Sequence, residues 1–147
     1  MSYERTQSAP VPAALVSGAA FVAAVLAAAS GEPVLWVVAA VLVGVATIAV
    51  ALSAMTTVAT PERITVAFRW GRPRRVIPVA QVIRAEAVRN KWWHGWGIRW
   101  IPGGTMFNVW GLDAVHLELD GARDFRIGTD DPHGLAAAIR ESDPGSV

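Results

Sequence analysis

Two long apolar stretches occupy the first part of the chain, and neither contains a charged side chain. The first uncharged run lies between Arg5 and Glu32, and the second lies between Glu32 and Glu62. A helix needs about 20 apolar residues to cross the roughly 30 Å of bilayer hydrocarbon. The pattern therefore predicts two membrane-spanning helices, over residues 12–29 and 34–58, with a polar turn around Glu32.

The small residues of the spans leave two questions open. Ala19, Ala23 and Ala27 lie four residues apart, a spacing that lets helix backbones approach closely. It would serve a dimer contact or packing of the two spans on each other. The run Ala27-Ala28-Ala29 also resembles a signal-peptide cleavage site, although the segment before it lacks a net positive charge.

A strand-like pattern replaces the helical one after Pro61. Ile64, Val66 and Phe68 alternate with polar or small residues, which is typical of a half-buried strand. Asp120-Gly121 lies between two alternating segments and predicts a hairpin with a type I′ turn. Residues 61–147 are therefore predicted to form six or seven antiparallel strands that close into a small barrel capped by a C-terminal helix. Residues 1–60 would form the separate transmembrane hairpin.

Several short motifs in the second unit carry a family resemblance. They are Arg74-Arg75-Val76-Ile77-Pro78, Gln81-Val82-Ile83, Gly95-Trp96-Gly97-Ile98-Arg99, and Phe125 to Pro132 before a Leu-Ala-rich helix. Together with the two spans, they resemble the bacterial pleckstrin-homology (PH)-like membrane proteins. The resemblance covers about residues 62–141. It implies a PH-like fold and a membrane-facing interaction module, and it implies no established reaction.

Charge is distributed unevenly along a chain whose formal net charge is only +1. The segment 61–99 carries nine basic and two acidic residues, whereas the segment 100–147 carries three basic and eight acidic residues. Basic residues next to a span favour the cytoplasmic side. We therefore expect a multi-pass protein of a bacterial inner membrane with both termini in the cytoplasm. The bacterial source is inferred from the richness in Ala, Val and Arg.

Two groups of residues are candidates for contact with anionic lipid. The first is a basic cluster in the first predicted hairpin, and the second is a Trp-rich segment that follows it. In PH-like folds the first hairpin loop often meets anionic headgroups, while indole rings favour the bilayer interface. The candidate residues are Arg69, Arg72, Arg74, Arg75, Trp92, Trp93, Trp96 and Arg99.

Each group also has a simpler interpretation. The arginines could be topology signals exposed to water, and some of the tryptophans could fill the domain core. Trp92 and Trp93 are then expected to be the exposed pair. Base stacking on nucleic acid is disfavoured, because the basic half of the domain is balanced by an acidic half.

The residues that carry most enzyme chemistry are missing or scattered. The chain has no cysteine, and His94, His116 and His133 have no metal-ligand spacing. We find no phosphate-binding loop and no nucleophile elbow. We therefore expect a non-enzymatic protein without a cofactor or a bound metal, whose cytoplasmic domain binds the membrane surface or a membrane partner. The alternative is an accessory subunit of a larger transporter or envelope complex, recruited through its spans. The sequence leaves its oligomeric state open.

Overall fold

The computed structural model describes residues 2–142, except for the side chain of His94, as an apolar helical hairpin joined to a mainly-β domain with a C-terminal helix. The helices are α1 (Pro10–Ser30), α2 (Pro33–Ala51) and α3 (Pro132–Glu141). The strands are β1 (Tyr3–Ser8), β2 (Ala54–Ala59), β3 (Arg63–Phe68), β4 (Arg74–Pro78), β5 (Val82–Arg89), β6 (Gly97–Ile101), β7 (Gly104–Asn108), β8 (Asp113–Leu119) and β9 (Asp124–Gly128).

The two apolar helices predicted from the sequence are confirmed as elements. Both are long and apolar enough to cross a membrane. Gly31 ends α1 in the left-handed conformation, with φ of 70°, and its N–H donates to the Ala27 carbonyl at 3.1 Å. The helices pack on each other along alanines seven residues apart, so small side chains serve contact within the hairpin. The buried alanines are Ala13, Ala20 and Ala27 of α1 and Ala39 and Ala46 of α2.

The predicted end of the second span, at residue 58, is wrong. Helix α2 ends at Ala51, and Ala54–Ala59 forms β2, in which buried and half-buried side chains alternate. The β-branched run Thr56-Thr57-Val58 favours a strand over a helix. The polar segment before α1 is also a strand, since β1 pairs with β2 from Tyr3↔Ala59 to Ser8↔Ala54. The helical hairpin is therefore inserted between two adjacent strands.

The predicted closed antiparallel barrel is also wrong for the part of the chain that the structure describes. Sheet 1 has the order β1-β2-β3-β4, and sheet 2 has the order β5-β8-β9-β7-β6. One pair in sheet 2, β7 with β9, is parallel. The connection after β5 carries the chain across to the opposite edge of the sheet, where β6 and β7 pair next to β9. At the start of β7, Gly104 passes so close to the Asp124 carbonyl that a Cβ atom would overlap it.

The core lies between the two sheets and beneath α3. The Phe68 ring of sheet 1 lies 5.4 Å from the Phe107 ring of sheet 2, and Phe107 lies 5.0 Å from Phe125. Helix α3 packs on β5 and β8 and buries Leu135 and Ile139. Phenylalanine rings and aliphatic side chains therefore form this core, in which the sequence also allowed some of the tryptophans.

Side chains of β1 bind the junction between β9 and α3. The Arg5 Nε and Nη2 atoms each donate to one carboxylate oxygen of Asp130 at 3.0 Å. The Tyr3 hydroxyl donates to Asp131 Oδ2 at 3.2 Å. The hydrogen bond from Arg5 holds the pKa of Asp130 below its ordinary value. Burial and the neighbouring Asp131 raise the pKa of Tyr3. These contacts tie the segment before α1 to sheet 2 as well as to sheet 1.

We expect Arg5→Ala to raise the pKa of Asp130 towards that of an ordinary carboxyl. A depressed carboxyl pKa adds stability above the unfolded-state pKa, and that stability is lost as pH falls through the folded-state pKa. The stability difference between wild type and variant should therefore disappear in acid. Carboxyl-carbon NMR titration in micelles would measure the pKa, with Arg63→Ala as the control. An unchanged pKa in Arg5→Ala would contradict the assigned ion pair.

Candidate functional site

One end of the β domain carries both apolar helices, and we call it the helix-side end. It is defined by Ser8, where β1 ends, and Ala54, where β2 begins. The strand directions bring three connections to the same end: the β3–β4 turn, the β5–β6 connection and the β7–β8 connection. The opposite end, which carries the β8–β9 turn, is called the far end.

The β3–β4 turn lies directly beside the helical hairpin. Arg69 Nε donates to the Ser53 hydroxyl, at the junction of α2 and β2, at 3.2 Å. Gly71 adopts φ of 70°, and its N–H closes the turn on the Phe68 carbonyl at 2.7 Å. The Trp70 ring is 60% exposed and borders a cleft between α1 and α2. The turn thus presents an indole ring to the helices. Arg72 and Arg74 line an open hollow next to it.

The β5–β6 connection crosses the helix-side end of sheet 2 and is anchored at its start. The Asn90 N–H donates to the Leu112 carbonyl at 2.6 Å, and the buried Asn90 side chain accepts from Arg126 Nη1 at 2.9 Å. Burial lowers the pKa of Arg126. The chain then exposes the rings of Trp92, at 77%, and Trp93, at 61%. This connection therefore holds two large aromatic side chains in solvent.

A stacked tryptophan pair lies on the other flank of the hairpin. The Trp96 and Trp110 rings are 5.0 Å apart and nearly parallel, at 13°. They border a cleft of about 190 Å³ whose other walls come from the first turns of α1 and the end of α2. Gln7 Nε2 donates to the Trp110 carbonyl at 2.8 Å, which ties β1 to this pair. Trp70 on one flank and the stacked pair on the other thus lie on both sides of the helix bases.

Charge at the helix-side end is mostly positive. In the described residues, the basic side chains there are Arg69, Arg72, Arg74, Arg89 and Lys91. Asp113 is an acidic side chain at the start of β8, and Asp130 is already bound by Arg5. The far end mixes both signs. The fold therefore converts the uneven distribution of charge along the sequence into a difference between the two ends of the domain.

The structure brings together most, but not all, of the residues predicted from the sequence. Arg69, Arg72, Arg74, Trp92, Trp93 and Trp96 lie at the helix-side end. Arg75 is also exposed, but it lies on the face of β4 that carries buried Ile77, opposite Val66, with its guanidinium 5.5 Å from the centre of the Phe125 ring. Arg99 turns back along β6 and donates to the Trp96 carbonyl at 3.2 Å. Arg75 and Arg99 therefore each contact an aromatic residue of the domain.

Two tryptophans at this end were missed by sequence reasoning. Trp70 follows Arg69 in a turn that was already a candidate, so its position in the chain was a usable signal. Trp110 follows β7, and only the fold brings it against Trp96. The four tryptophans from Trp92 to Trp100 are all more than half exposed, so they do not fill the core.

Among the described residues, no group of three or more His, Asp or Glu side chains could hold a metal ion. No family model, curated protein or solved structure matches the chain. The helix-side end combines exposed indole rings, basic side chains and two apolar helices.

Proposed function

We propose that this chain is a non-enzymatic integral membrane protein whose β domain binds the membrane surface through its helix-side end. The observation that carries the proposal is the gathering of exposed tryptophans and basic side chains at the base of the two apolar helices. Indole rings favour the bilayer interface, and each basic residue near an anionic leaflet contributes about 1 kcal/mol. The helices would keep the domain at the membrane, and these side chains would set its orientation.

The spacing of tryptophans along the hairpin supports the same arrangement. Trp36 lies in the first turn of α2, at the end of the hairpin remote from the β domain. At about 1.5 Å per residue, it lies roughly 24 Å from Leu52 along the helix axis. The hydrocarbon layer is about 30 Å thick. Trp36 and the helix-side tryptophans would then occupy the two opposite interfaces.

The connection between hairpin and sheet supports the proposed topology. Because β1 and β2 are paired neighbours, the chain enters and leaves the hairpin on the same side. Glu32 is the charged residue of the short connection between the helices, whereas the domain end of the hairpin is basic. The positive-inside rule then favours a cytoplasmic β domain on a bacterial inner membrane, with both termini on the cytoplasmic side.

The role we propose is that of a binding or scaffolding module. The resemblance to PH-like membrane proteins, two stacked sheets and a C-terminal helix support a PH-like assignment. Contacts with the bilayer would fix the orientation of the domain, and the rest of its surface would then face a membrane partner at a fixed distance from the bilayer. The second candidate, an accessory subunit recruited through its spans, would instead use the exposed apolar side chains of α1 and α2.

Spin labels at two single cysteines would test this orientation, because the natural chain contains no cysteine. We expect a label at Trp92→Cys, in full-length protein in anionic bilayers, to collide with oxygen dissolved in lipid. A label at Ala122→Cys, in the β8–β9 turn at the far end, should collide with a water-soluble nickel complex. Equal access of the nickel complex to both labels would overturn surface binding and favour the accessory-subunit alternative.

A further inference from the structure

We propose that the α1–α2 cleft above Trp70 binds an acyl chain of one anionic phospholipid, whose phosphate contacts Arg72 and Arg74. This inference rests on the proposed function, because it requires the helix-side end to lie at a bilayer surface. It adds a defined lipid site to what could otherwise be diffuse attraction between a basic surface and a charged leaflet.

The cleft has the size and lining of a hydrocarbon site. Its volume is about 430 Å³, and its walls include Phe21, Ala24, Val43 and Val50, with Trp70 at the base. That volume lies within the usual range for small-molecule sites, about 300–1,000 Å³. The small side chains along the contact between α1 and α2 leave room for a groove between the larger ones. A flexible methylene chain could lie along this groove.

The hydroxyl protons in the cleft are not available to a polar ligand. Ser17 Oγ donates to the Ala13 carbonyl at 2.8 Å, and Thr47 Oγ1 donates to the Val43 carbonyl at 2.8 Å. Both hydroxyl protons are therefore used within their own helices. A ligand in the cleft gains apolar contact and finds no hydroxyl donor. Because the rest of the lining is apolar, this favours hydrocarbon over a ligand that needs several hydrogen-bond donors.

The next surface along the β3–β4 turn is cationic. The open hollow described above is lined by Gly71, Arg72, Pro73 and Arg74, the four residues that directly follow Trp70. Both arginines are exposed. Guanidinium groups bind phosphate oxygens with paired hydrogen bonds. An apolar cleft followed by an arginine-lined hollow matches a molecule with a long apolar chain and an anionic head, which is an anionic phospholipid.

Native mass spectrometry of full-length protein extracted from bilayers of phosphatidylglycerol and phosphatidylcholine would test the site. We expect one tightly retained phosphatidylglycerol per chain. Ala24→Phe should fill the cleft and abolish retention, whereas Ala19→Phe, on the opposite side of α1, should leave it unchanged. Ala24→Leu provides a smaller filling variant if the phenylalanine disturbs folding, which circular dichroism would report.

Removal of the two arginine charges that would contact the headgroup is a second test of the site. The double variant Arg72→Ala, Arg74→Ala should lower phosphatidylglycerol retention about 30-fold, which corresponds to about 2 kcal/mol for two basic residues. The far-end pair Arg63→Ala, Arg123→Ala removes the same charge and should have little effect. Inorganic phosphate should fail to displace the lipid, because it cannot occupy the cleft. Displacement by phosphate alone would assign the arginines to a free anion.

Equal retention of the two lipids, or unchanged retention in both cleft-filling variants, would overturn the lipid site. That failure is separate from failure of the proposed function. The spin label at residue 92 would still report contact with lipid if the domain binds the surface without a specific lipid. It would report water if surface binding itself is wrong.

Discussion

A fragment that begins at Pro61 is expected to be unfolded, even though the sequence places the start of the β domain there. Strand β2 lies inside sheet 1, between β1 and β3, and the fragment lacks both β1 and β2. Met55 and Ala59 of β2 are almost completely buried. Truncation of one large buried side chain already costs about 2–5 kcal/mol, against a typical domain stability of about 5–15 kcal/mol. Loss of two whole strands should exceed that stability.

A matched chain without the helices should keep the fold. Ser8 pairs with Ala54, and the Ala9 N–H donates to the Ser53 carbonyl at 2.7 Å, so the two strands already approach as in a hairpin. Replacement of residues 10–52 by Asn-Gly would close them with a type I′ turn. We call this protein the hairpin-replaced chain. It retains β1, β2 and the ion pair between Arg5 and Asp130.

Urea unfolding followed by circular dichroism and tryptophan fluorescence would compare the two proteins. We expect a cooperative transition with coincident signals for the hairpin-replaced chain and no transition for the Pro61 fragment. Cooperative unfolding of the Pro61 fragment would show that β1 and β2 are dispensable. Absence of a transition in both proteins would show that the β domain needs the helices themselves.

The features that could be predicted from the sequence are those with local signals. The absence of charge over two long runs predicts the helices, and Asp120-Gly121 predicts the β8–β9 hairpin. The predicted type I′ turn is wrong, because that turn needs a positive φ at both central residues and only Gly121 has one, at 64°. Asp131 and Pro132 are residue types that commonly begin a helix, and the Asp131 carboxylate accepts from the Gly134 N–H at 3.0 Å at the start of α3. Each of these signals depends on residues close together in the chain.

The features that could not be predicted depend on contacts between distant residues. Strand β1 is polar and mostly exposed, and it exists because β2 offers it a partner about 50 residues later. The parallel pairing of β7 with β9 follows from a connection that crosses the sheet. Tryptophan gives an ambiguous signal, since an indole ring suits either a core or an interface. Only the fold shows that Trp70 and Trp110 lie on opposite flanks of the same helices.

If the hairpin-replaced chain unfolds cooperatively, it also allows binding of the charged surface to lipid vesicles to be measured without the two helices. We expect it to bind vesicles containing phosphatidylglycerol through its helix-side end. Substitution of Arg72, Arg74 and Lys91 by Ala should lower the water-to-vesicle partition coefficient about 150-fold, since three basic residues contribute about 3 kcal/mol in total. Vesicle co-sedimentation across a range of protein-to-lipid ratios would measure the change.

The control must separate local contact from net charge. Substitution of Arg63, Arg84 and Arg123 by Ala removes three positive charges from the far end and should lower binding by less than about threefold. High salt should reduce the difference between the two triple variants, because the Debye length falls from about 10 Å at 0.1 M to about 3 Å at 1 M. Equal losses in both variants would mean that binding follows net charge alone. The helix-side arginines would then act as topology signals, and orientation at the membrane would have to come from the tryptophans or from a protein partner.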